Sequence, residues 1–490
     1  MNKIQNQTGM TVFIFLRILF ILLGIISITF LLPIGVAIFY QEFYVIPAFA
    51  LPGVICIVLA TIFLLVGGKR KFSLTPKDSF LIVAAAWASA SLLGSIPFLL
   101  SGVTTSFTDA FFESVSGFST TGATIFSDVE SLPKSVNLWR CQMHWLGGMG
   151  IVVLTVALLP ILGVGGFQLI KAETTGPEKG KVTPKIATTA KILWFMYFAF
   201  TVIQTVLLHF AGMDWFESLA HTFSTLGTGG FSTRNTSIAA FNSPAIEWIC
   251  TVFMFLAGIN FSLFFFLVTK KFDELRYNSE LKAYLGIIAF SILFITLFLL
   301  EPVKSLGNSL REAAFQVAAI ISTTGFSSVD FNLWPSTAKF FLFVLMFIGG
   351  CSGSTGGGVK VIRWVILSKQ TTNEIRRMLH PHGVFTVQLN NRAGRKDVVF
   401  SVAAFMFLYF LLVAITTFIA SLSGIDLFSS YTAALSMVGN IGPGFGAVGP
   451  VENFSFFADG IKLWFCFVML AGRLELYTML IFFTPSFWKK

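Results

Sequence analysis

The chain of 490 residues is 55% hydrophobic and only 11% charged. This composition excludes an ordinary soluble globular domain, and the mean hydropathy of +0.82 indicates that lipid is the surrounding solvent. Several apolar runs exceed the roughly 20 residues that a helix needs to cross a bilayer. The sequence therefore predicts an all-α polytopic membrane protein.

The net charge of +10 is concentrated in alternate loops. Most Lys and Arg residues lie near the two termini and in four basic stretches, at 69–77, 171–191, 270–282 and 360–396. By the positive-inside rule, this alternation predicts that both termini are cytoplasmic. Topology accounts for the basic charge, so we expect no nucleic-acid partner. The five cysteines have no spacing typical of disulfides or of a metal site.

Two apolar spans, at about 11–40 and 45–67, begin the predicted element order. Four longer units follow, and each contains an apolar span, a segment too short to cross a bilayer, and a second span. The first spans are at about 80–100, 187–210, 283–300 and 398–420, and the second spans are at about 138–160, 245–269, 337–367 and 457–483. The predicted divisions are an N-terminal helix pair, 1–70, and four repeats, 71–175, 176–275, 276–395 and 396–490.

The four short segments can be aligned with one another, and this internal repeat is the strongest signal in the sequence. They read DAFFESVSGFSTTGA from Asp109, DWFESLAHTFSTLGT from Asp214, EAAFQVAAIISTTGF from Glu312 and DLFSSYTAALSMVGN from Asp426. In each copy an acidic residue precedes a glycine by 13 positions, and these glycines are Gly122, Gly227, Gly325 and Gly439. Four matching copies indicate a repeated functional element rather than chance helix caps.

Each short segment has the composition of a half-membrane helix followed by a permissive turn. A carboxylate at the start complements the helix dipole, and about ten helical residues span about 15 Å, half a bilayer. Non-helical backbone at that depth must be buried in protein or line a watery path. Because glycine lets the backbone present carbonyl oxygens to a cation, the four segments are predicted to form one selectivity filter.

Further motifs accompany these segments: WRCQMHWLGGMGIVVL from Trp139, STLGTGGFSTRN from Ser224, GGCSGSTGGGVKVIRW from Gly349, GNIGPGFG from Gly439 and AGRLELYT from Ala471. Over nearly its whole length, the chain resembles the TrkH/TrkG/KtrB superfamily of bacterial and fungal potassium transporters. The two extra N-terminal spans favour the TrkH branch. The resemblance implies uptake of potassium, as substrate, across the bacterial cytoplasmic membrane. No bound cofactor is expected, and no catalytic constellation is visible in the sequence.

The resemblance places the potassium filter on four tetrapeptides. These are Thr120, Thr121, Gly122 and Ala123; Thr225, Leu226, Gly227 and Thr228; Thr323, Thr324, Gly325 and Phe326; and Met437, Val438, Gly439 and Asn440. The fourth copy departs most, because Met437 and Val438 replace hydroxyl-bearing residues. We expect this quarter to lower the symmetry of the ring and to loosen its selectivity.

A glycine-rich run, IGGCSGSTGGGVK from Ile348, interrupts the predicted second span of repeat 3. Its glycines break a helix, and such a break at membrane depth must line a cavity. A phosphate-binding loop is disfavoured because Val359 takes the lysine position and no strand precedes the run; a kink for helix packing stays as an alternative. By resemblance, the run forms an intramembrane gate, made of Gly349, Gly350, Gly353, Ser354, Thr355, Gly356, Gly357 and Gly358 with Lys360.

Arg473 lies deep in the last predicted span, where a charge is costly and normally faces a partner or water. Glu475 is two positions away and diverges from it on a helix, so the two side chains should not pair. Arg473 is predicted to complete the gate as an electrostatic barrier. A buried ion pair with another repeat is the alternative.

The resemblance also implies two kinds of partner, a cytoplasmic TrkA-type nucleotide-binding regulatory ring and a second copy of the chain in a homodimer. The histidines His144, His209 and His221 lack metal-ligand spacing, so no transition-metal site is expected. The main rival function is a secondary active symporter with a midplane binding site, which predicts inverted halves rather than four copies of one polarity. A membrane enzyme would need clustered acids or histidines within the spans.

Overall fold

The structure is a computed structural model that describes residues 2–67, 76–150, 186–300, 305–390, 392–393 and 396–488. The end of the span predicted at 138–160 and most of the basic stretches predicted at 69–77 and 171–191 lie outside the described residues. Six described helices are long and apolar enough to cross a membrane, or up to eight if each of two bent pairs is one span. The predicted helical membrane architecture is confirmed.

The N-terminal pair consists of α1 (Asn2–Thr29), continued by α2 (Leu31–Phe39), and of α3 (Ile46–Gly67). A Cβ atom on Gly24 would lie 2.7 Å from the Cβ of Ala60, so the missing side chain lets α1 and α3 approach closely. Both helices pack on the first helix of repeat 1. The two extra helices are therefore part of the bundle around the repeats.

Each repeat contributes a long first helix, a short buried helix that we call the pore helix, and a second segment. The first helices are α4 (Pro76–Leu100), α7 (Ile186–Phe210), α12 (Ser279–Phe298) and α16 (Lys396–Ser421). The pore helices are α5 (Phe107–Phe118), α8 (Trp215–Gly227), α13 (Leu306–Ile321) and α17 (Leu427–Gly439). The second segments are α6 (Lys134–Gly148), α9 (Pro244–Ala257) with α10 (Phe261–Val268), α14 (Ser336–Leu345) with α15 (Val361–Leu379), and α18 (Asp459–Arg473) with α19 (Tyr477–Leu480).

Two short helices and one pair of strands lie outside the helices named above, besides short 3-10 turns. α11 (Phe272–Arg276) joins repeats 2 and 3, and α20 (Pro485–Trp488) follows repeat 4. A short antiparallel pair, β1 (Gln388–Leu389) and β2 (Arg392–Ala393), follows α15. The described chain is otherwise helical or irregular.

The second segments of repeats 2 and 4, predicted as spans at about 245–269 and 457–483, are sharply bent. α9 and α10 meet at 94°, and α18 meets the segment after it at 118°. At the first bend a Cβ on Gly258 would collide with the hydroxyl of Tyr284, and Asn260 caps α10 by accepting a 2.9 Å hydrogen bond from the Ser262 N–H. At the second bend Glu475 has φ of 55°, which a right-handed helix cannot accommodate.

The pore helices begin with side-chain caps, although not always with the predicted acid. Asp214 and Asp426 cap α8 and α17 by accepting backbone N–H groups at 2.6 and 2.9 Å. In repeat 1, Ser106 is the cap and Asp109 lies in the first turn. In repeat 3 the prediction is wrong, because Ser305 caps α13 and Glu312 lies nearly two turns inside the helix. A hydroxyl oxygen satisfies the same exposed N–H groups as a carboxylate.

The repeats pack in a circle, so that each second segment contacts the pore helix of the next repeat. α6 packs on α8, α9 packs on α13, and α18 packs on α5. Between repeats 3 and 4, Phe343 of α14 lies 5.6 and 5.9 Å from the rings of Phe428 and Tyr431 on α17. This order brings the carboxyl ends of all four pore helices towards one centre.

Candidate functional site

The backbone turns in the same way after each pore helix. A residue with left-handed φ between 52° and 59° comes first, and a glycine with positive φ follows two positions later. The first residues are Thr120, Thr228, Thr323 and Asn440, and the glycines are Gly122, Gly230, Gly325 and Gly442. We call these the ring glycines and the four residues from each left-handed position onward, 120–123, 228–231, 323–326 and 440–443, the ring segments.

The four ring segments meet edge to edge and close a ring. On each ring glycine, a Cβ atom would meet the carbonyl oxygen that precedes the ring glycine of the next repeat. The contacts run from Gly122 to Gly229, from Gly230 to Thr324, from Gly325 to Ile441, and from Gly442 back to Thr121. Glycine is required at all four positions, both by the positive φ and by this close approach of backbone.

The ring corrects the predicted register in repeats 2 and 4 by three residues. Segments 120–123 and 323–326 are ring segments, but Gly227 and Gly439 are the last helical residues of α8 and α17. The reason lies at the other end of the helices, because Asp109 is the third residue of its helix whereas Asp214 precedes its helix. Aligning the acidic residues therefore selects glycines that lie three positions before the ring glycines in repeats 2 and 4.

The ring register changes which residues of repeat 4 correspond to the ring residues of repeat 1. Thr225, Leu226, Met437 and Val438 lie in the last turns of their pore helices, and Asn440 and Ile441 are the residues that match Thr120 and Thr121. The Asn440 amide donates 2.9 Å hydrogen bonds to the Thr121 hydroxyl and to the Met469 carbonyl. An amide that bonds the neighbouring segment thus replaces the hydroxyl found in the other repeats.

One backbone hydrogen bond fixes each helix end against its ring segment. The donors are the N–H groups of Thr121, Gly229, Thr324 and Ile441, and the acceptors, at 2.8 to 3.0 Å, are the carbonyls of Ser116, Ser224, Ala319 and Ser436. The partially negative ends of four helix dipoles therefore face one ring, which favours a cation there. This shared pattern also supports the corrected register independently of the glycines.

The glycine-rich loop lies between α14 and α15 and contacts the ring segments of repeats 3 and 4. The Gly357 N–H donates a 2.7 Å hydrogen bond to the Thr323 hydroxyl. A Cβ on Gly356 would lie 2.8 Å from the Ser322 carbonyl oxygen, and one on Gly357 would lie 2.6 Å from that of Gly439. Larger residues at Gly356 and Gly357 would therefore push the loop away from the ring.

Repeat 2 and α12 hold the other side of the same loop. The Cys351 N–H donates to the Gly258 carbonyl at 2.8 Å, and Thr355 donates to Ala257 through its N–H and its hydroxyl at 3.3 and 3.2 Å. Buried Glu280 accepts hydrogen bonds from the Ser352 and Ile362 N–H groups at 2.7 and 3.1 Å. The loop is thus a folded element with fixed backbone partners.

The remaining predicted gate residues lie within this folded loop. The Gly349 N–H donates to the Val359 carbonyl at 2.9 Å, which closes the loop. Gly353 and Gly358 have φ of 75° and 66°. A Cβ on Gly350 would lie 2.7 Å from the Ser354 hydroxyl oxygen. The run that the sequence singled out is therefore a compact turn structure rather than a simple helix kink.

Arg473 connects the glycine-rich loop to repeat 1. Its guanidinium donates hydrogen bonds to the carbonyl of Thr355 at 2.7 Å and to the carbonyls of Gly147 and Gly148 at 2.5 and 3.1 Å. Lys360 donates to the Gly356 carbonyl inside the loop. Two cationic side chains therefore lie within or against the loop.

Glu475, two positions after Arg473, joins repeat 4 to repeat 3. Its carboxylate forms an ion pair with Arg363 of α15, whose guanidinium carbon lies 3.7 Å from the centroid of the Phe405 ring. An ion pair between repeats 3 and 4 thus lies next to Arg473. Among the described residues, no group of three or more His, Cys, Asp or Glu residues could hold a metal ion.

A ring of four pore segments within a bundle of membrane-spanning helices defines a pore-loop membrane protein. Residues 45–490 match the profile of the TrkH family, described as a cation transport protein. The chain is 38% identical over 483 residues to the Trk system potassium uptake protein TrkH of Halomonas elongata, covering 97% of this chain and 99% of that protein. It is 39% identical over 427 residues to TrkH of Escherichia coli K12, covering 86% and 88%.

A solved structure agrees with these relatives. The crystal structure of the potassium transporter TrkH from Vibrio parahaemolyticus matches with a TM-score of 0.86 at 36% identity, covering 97% of this chain and 99% of that chain. This chain therefore belongs to the TrkH family of cation transport proteins. The resemblance inferred from the sequence is confirmed, and the relatives are named as transporters rather than enzymes.

Proposed function

We propose that this protein takes up potassium across the bacterial cytoplasmic membrane through the ring of four glycine segments. The closed ring, in which each ring glycine abuts a carbonyl oxygen of the next repeat, is the observation that carries the proposal. The choice of potassium as the ion rests on the relatives, which match most of the chain and are named as potassium uptake proteins. Four repeats of one polarity favour a central pore over the rival symporter with inverted halves.

In the proposed filter, carbonyl oxygens of segments 120–123, 228–231, 323–326 and 440–443 replace the hydration shell of potassium. The four helix carboxyl ends add a favourable negative potential. Backbone ligands make the side-chain differences among repeats tolerable. The hydrogen bond from Asn440 to Thr121 keeps the fourth segment registered on the first.

In the proposed gate, the glycine-rich loop and Arg473 form the barrier that a cation meets after the filter. Arg473 adds electrostatic repulsion and holds the loop through the Thr355 carbonyl. The loop runs directly into α15, whose last turn carries exposed Arg376 and Arg377. A cytoplasmic TrkA-type ring that displaces α15 would therefore pull on Lys360 and the loop.

The orientation and assembly follow from the same proposal. The basic stretches support a cytoplasmic location of both termini, where α15 would be accessible to the regulatory ring. We propose a homodimer in which each copy holds its own pore. The filter proposal requires neither the orientation nor the homodimer, so either could be disproved without affecting it.

Rubidium uptake by potassium-starved cells that express this chain tests the function. We expect saturable uptake that exceeds sodium uptake, and we expect Gly325→Ala to lower the rubidium-to-sodium ratio because the new Cβ would collide with the Ile441 carbonyl. Gly286→Ala is the matched control, since no atom lies within 4 Å of a Cβ at that position. Equal rubidium and sodium uptake by the unmodified chain would contradict the proposal.

A further inference from the structure

A buried ion pair lies behind the ring segment of repeat 1. Glu113 on α5 is fully buried, and its Oε1 accepts a 2.7 Å hydrogen bond from Nε of Arg140 on α6, which is 1% exposed. Removing two charges from water is costly unless further hydrogen bonds satisfy them. The partners of this pair therefore show which part of the fold the two charges hold in place.

Glu113 holds the backbone that leaves the ring in repeat 1. Its Oε2 accepts a 3.0 Å hydrogen bond from the Ile125 N–H, and the Thr124 hydroxyl lies 3.0 and 3.1 Å from the two carboxylate oxygens. Thr124 and Ile125 come directly after segment 120–123. The carboxylate thus fixes the exit of that ring segment.

Arg140 extends the same network to repeat 2. Its Nη1 donates to the Ser232 carbonyl at 3.3 Å, and its guanidinium carbon lies 4.3 Å from the centroid of the Phe231 ring. Its Nη2 also donates to the Thr124 hydroxyl at 3.1 Å. Phe231 ends ring segment 228–231, so one ion pair is tied to two adjacent quarters of the ring.

The corresponding positions of the other repeats become progressively weaker. Nine positions before each ring glycine stand Glu113, His221, Gln316 and Ala433, and two positions after it stand Thr124, Ser232, Ser327 and Gly444. In repeat 2, Nε2 of His221 lies 2.9 Å from the Ser232 hydroxyl. Within the described chain the Gln316 amide has no hydrogen-bond partner. In repeat 4 neither side chain can form the bond.

This gradient has a direction in the fold. At the ring, the glycine-rich loop contacts the segments of repeats 3 and 4, through the Thr323 hydroxyl and the Gly439 carbonyl. The ionic support lies behind repeats 1 and 2. The ring therefore has one side held by buried charge and another side that contacts the loop.

We propose that Glu113 and Arg140 are a positioning pair that sets ion discrimination by holding the ring segments of repeats 1 and 2. The inference rests on the proposed filter function, although neither side chain contacts the ion. Ring segments fixed at one spacing favour the cation that fits that spacing. Loss of the pair should therefore change selectivity more than it changes the ability to carry rubidium.

The test measures rubidium and sodium uptake by the full-length purified protein in liposomes. The double variant Glu113→Gln with Arg140→Gln removes both charges together and leaves neither one buried alone. We expect its rubidium-to-sodium ratio to fall by about tenfold while rubidium uptake persists, a change equivalent to about 1.4 kcal/mol of discrimination. An unchanged ratio in folded protein would overturn the proposal.

A second ion pair in the chain supplies the matched control. Glu247 on α9 and Arg311 on α13 also join two repeats, at 2.9 Å, but they lie near the outer ends of their helices, away from the ring. The same double exchange to glutamine should lower the melting temperature without changing the ion ratio. An equal loss of selectivity there would assign the effect to general destabilisation and contradict a specific role.

A milder pair of variants keeps the test decisive if the double variant does not fold. Thr124→Val removes the hydroxyl that joins Glu113 and Arg140, and Thr124→Ser retains it. We expect the valine variant to lower the ion ratio and the serine variant to keep it; equal ratios would reject the positioning role. If the unmodified protein carries no rubidium, the proposed function fails instead, so the two failures are distinguishable.

Discussion

The corrected register of repeat 4 can be tested by adding one methyl group either at Gly442 or, three residues earlier, at Gly439. Gly442 is a ring glycine with φ of 99°, and a Cβ there would lie 2.8 Å from the Thr121 carbonyl oxygen. Gly439 is the last helical residue, and a Cβ there would approach the flexible Ile441 side chain at 3.0 Å. Gly442→Ala should therefore distort the ring, whereas Gly439→Ala should be accommodated.

The magnitude follows from the geometry at Gly442. Ordinary contact of a Cβ begins at 3.4 Å, so a methyl at 2.8 Å requires the Thr121 carbonyl or the Gly442 backbone to move by about 0.6 Å. A functional site tolerates displacements of about 0.5 Å, and a non-glycine residue in this conformation is strained by about 1–3 kcal/mol. If about half of that strain appears as lost discrimination, the rubidium-to-sodium ratio falls by about twofold to about tenfold.

The assay is competitive uptake of rubidium and sodium into liposomes by each purified variant, normalised to folded protein by size-exclusion chromatography. We expect Gly442→Ala to lose selectivity and Gly439→Ala to retain it. A Gly439→Ala variant that loses selectivity while Gly442→Ala keeps it would refute the ring register. That result would instead support the register obtained by aligning the acidic residues, in which Gly439 is the filter glycine of repeat 4.

Three further predictions concern the gate, the ring and a helix cap. Arg473→Ala should raise cation flux in liposomes, because it removes both a positive charge and a hydrogen bond to the loop. Arg377→Ala, which alters an exposed side chain, should leave the flux unchanged. Unchanged flux from folded Arg473→Ala protein would count against a gating role. Gly325→Ala should bind rubidium more weakly than Gly286→Ala in equilibrium titration, and equal affinities would remove Gly325 from the ion site. Asp214→Ala should lower the free energy of unfolding by about 1 kcal/mol, because α8 loses its cap. The effect is measured as a lower melting temperature in detergent, and an unchanged melting temperature would contradict it.

The repeat architecture is accessible from the sequence because it rests on local signals. Apolar runs locate the first helices, and the four short copies locate the pore helices between them. The glycine-rich loop is equally visible, since a cluster of glycines cannot form a continuous helix. These features depend on composition and spacing rather than on partners far away in the chain.

The register of the ring depends on where each helix begins, which local spacing did not settle. Asp109 and Asp214 look equivalent in sequence, but one lies inside its helix and the other precedes it. A signal was present, since a Thr or Asn two positions before a glycine recurs in all four copies at the corrected register. That spacing selects Gly442 in repeat 4, where Met437 stands two positions before Gly439, but in repeat 2 Thr225 before Gly227 shows it as well as Thr228 before Gly230.

Other features required tertiary contacts. The bend at Gly258 depends on Tyr284 of the next repeat, and the role of Glu475 depends on Arg363, which is more than a hundred residues away in sequence. The pairing of Glu113 with Arg140 likewise joins two elements of repeat 1 and then extends into repeat 2. No periodicity or spacing in one segment predicts such partners.

The most direct test of the central claim is to locate the ion. Crystals or vitrified particles of the full chain prepared in rubidium should show rubidium density inside the ring, between Gly122, Gly230, Gly325 and Gly442. The same sample prepared in sodium should show weaker density there. Strong rubidium density elsewhere in the membrane region, with none inside the ring of a protein that transports rubidium, would contradict the assignment of these four segments as the filter.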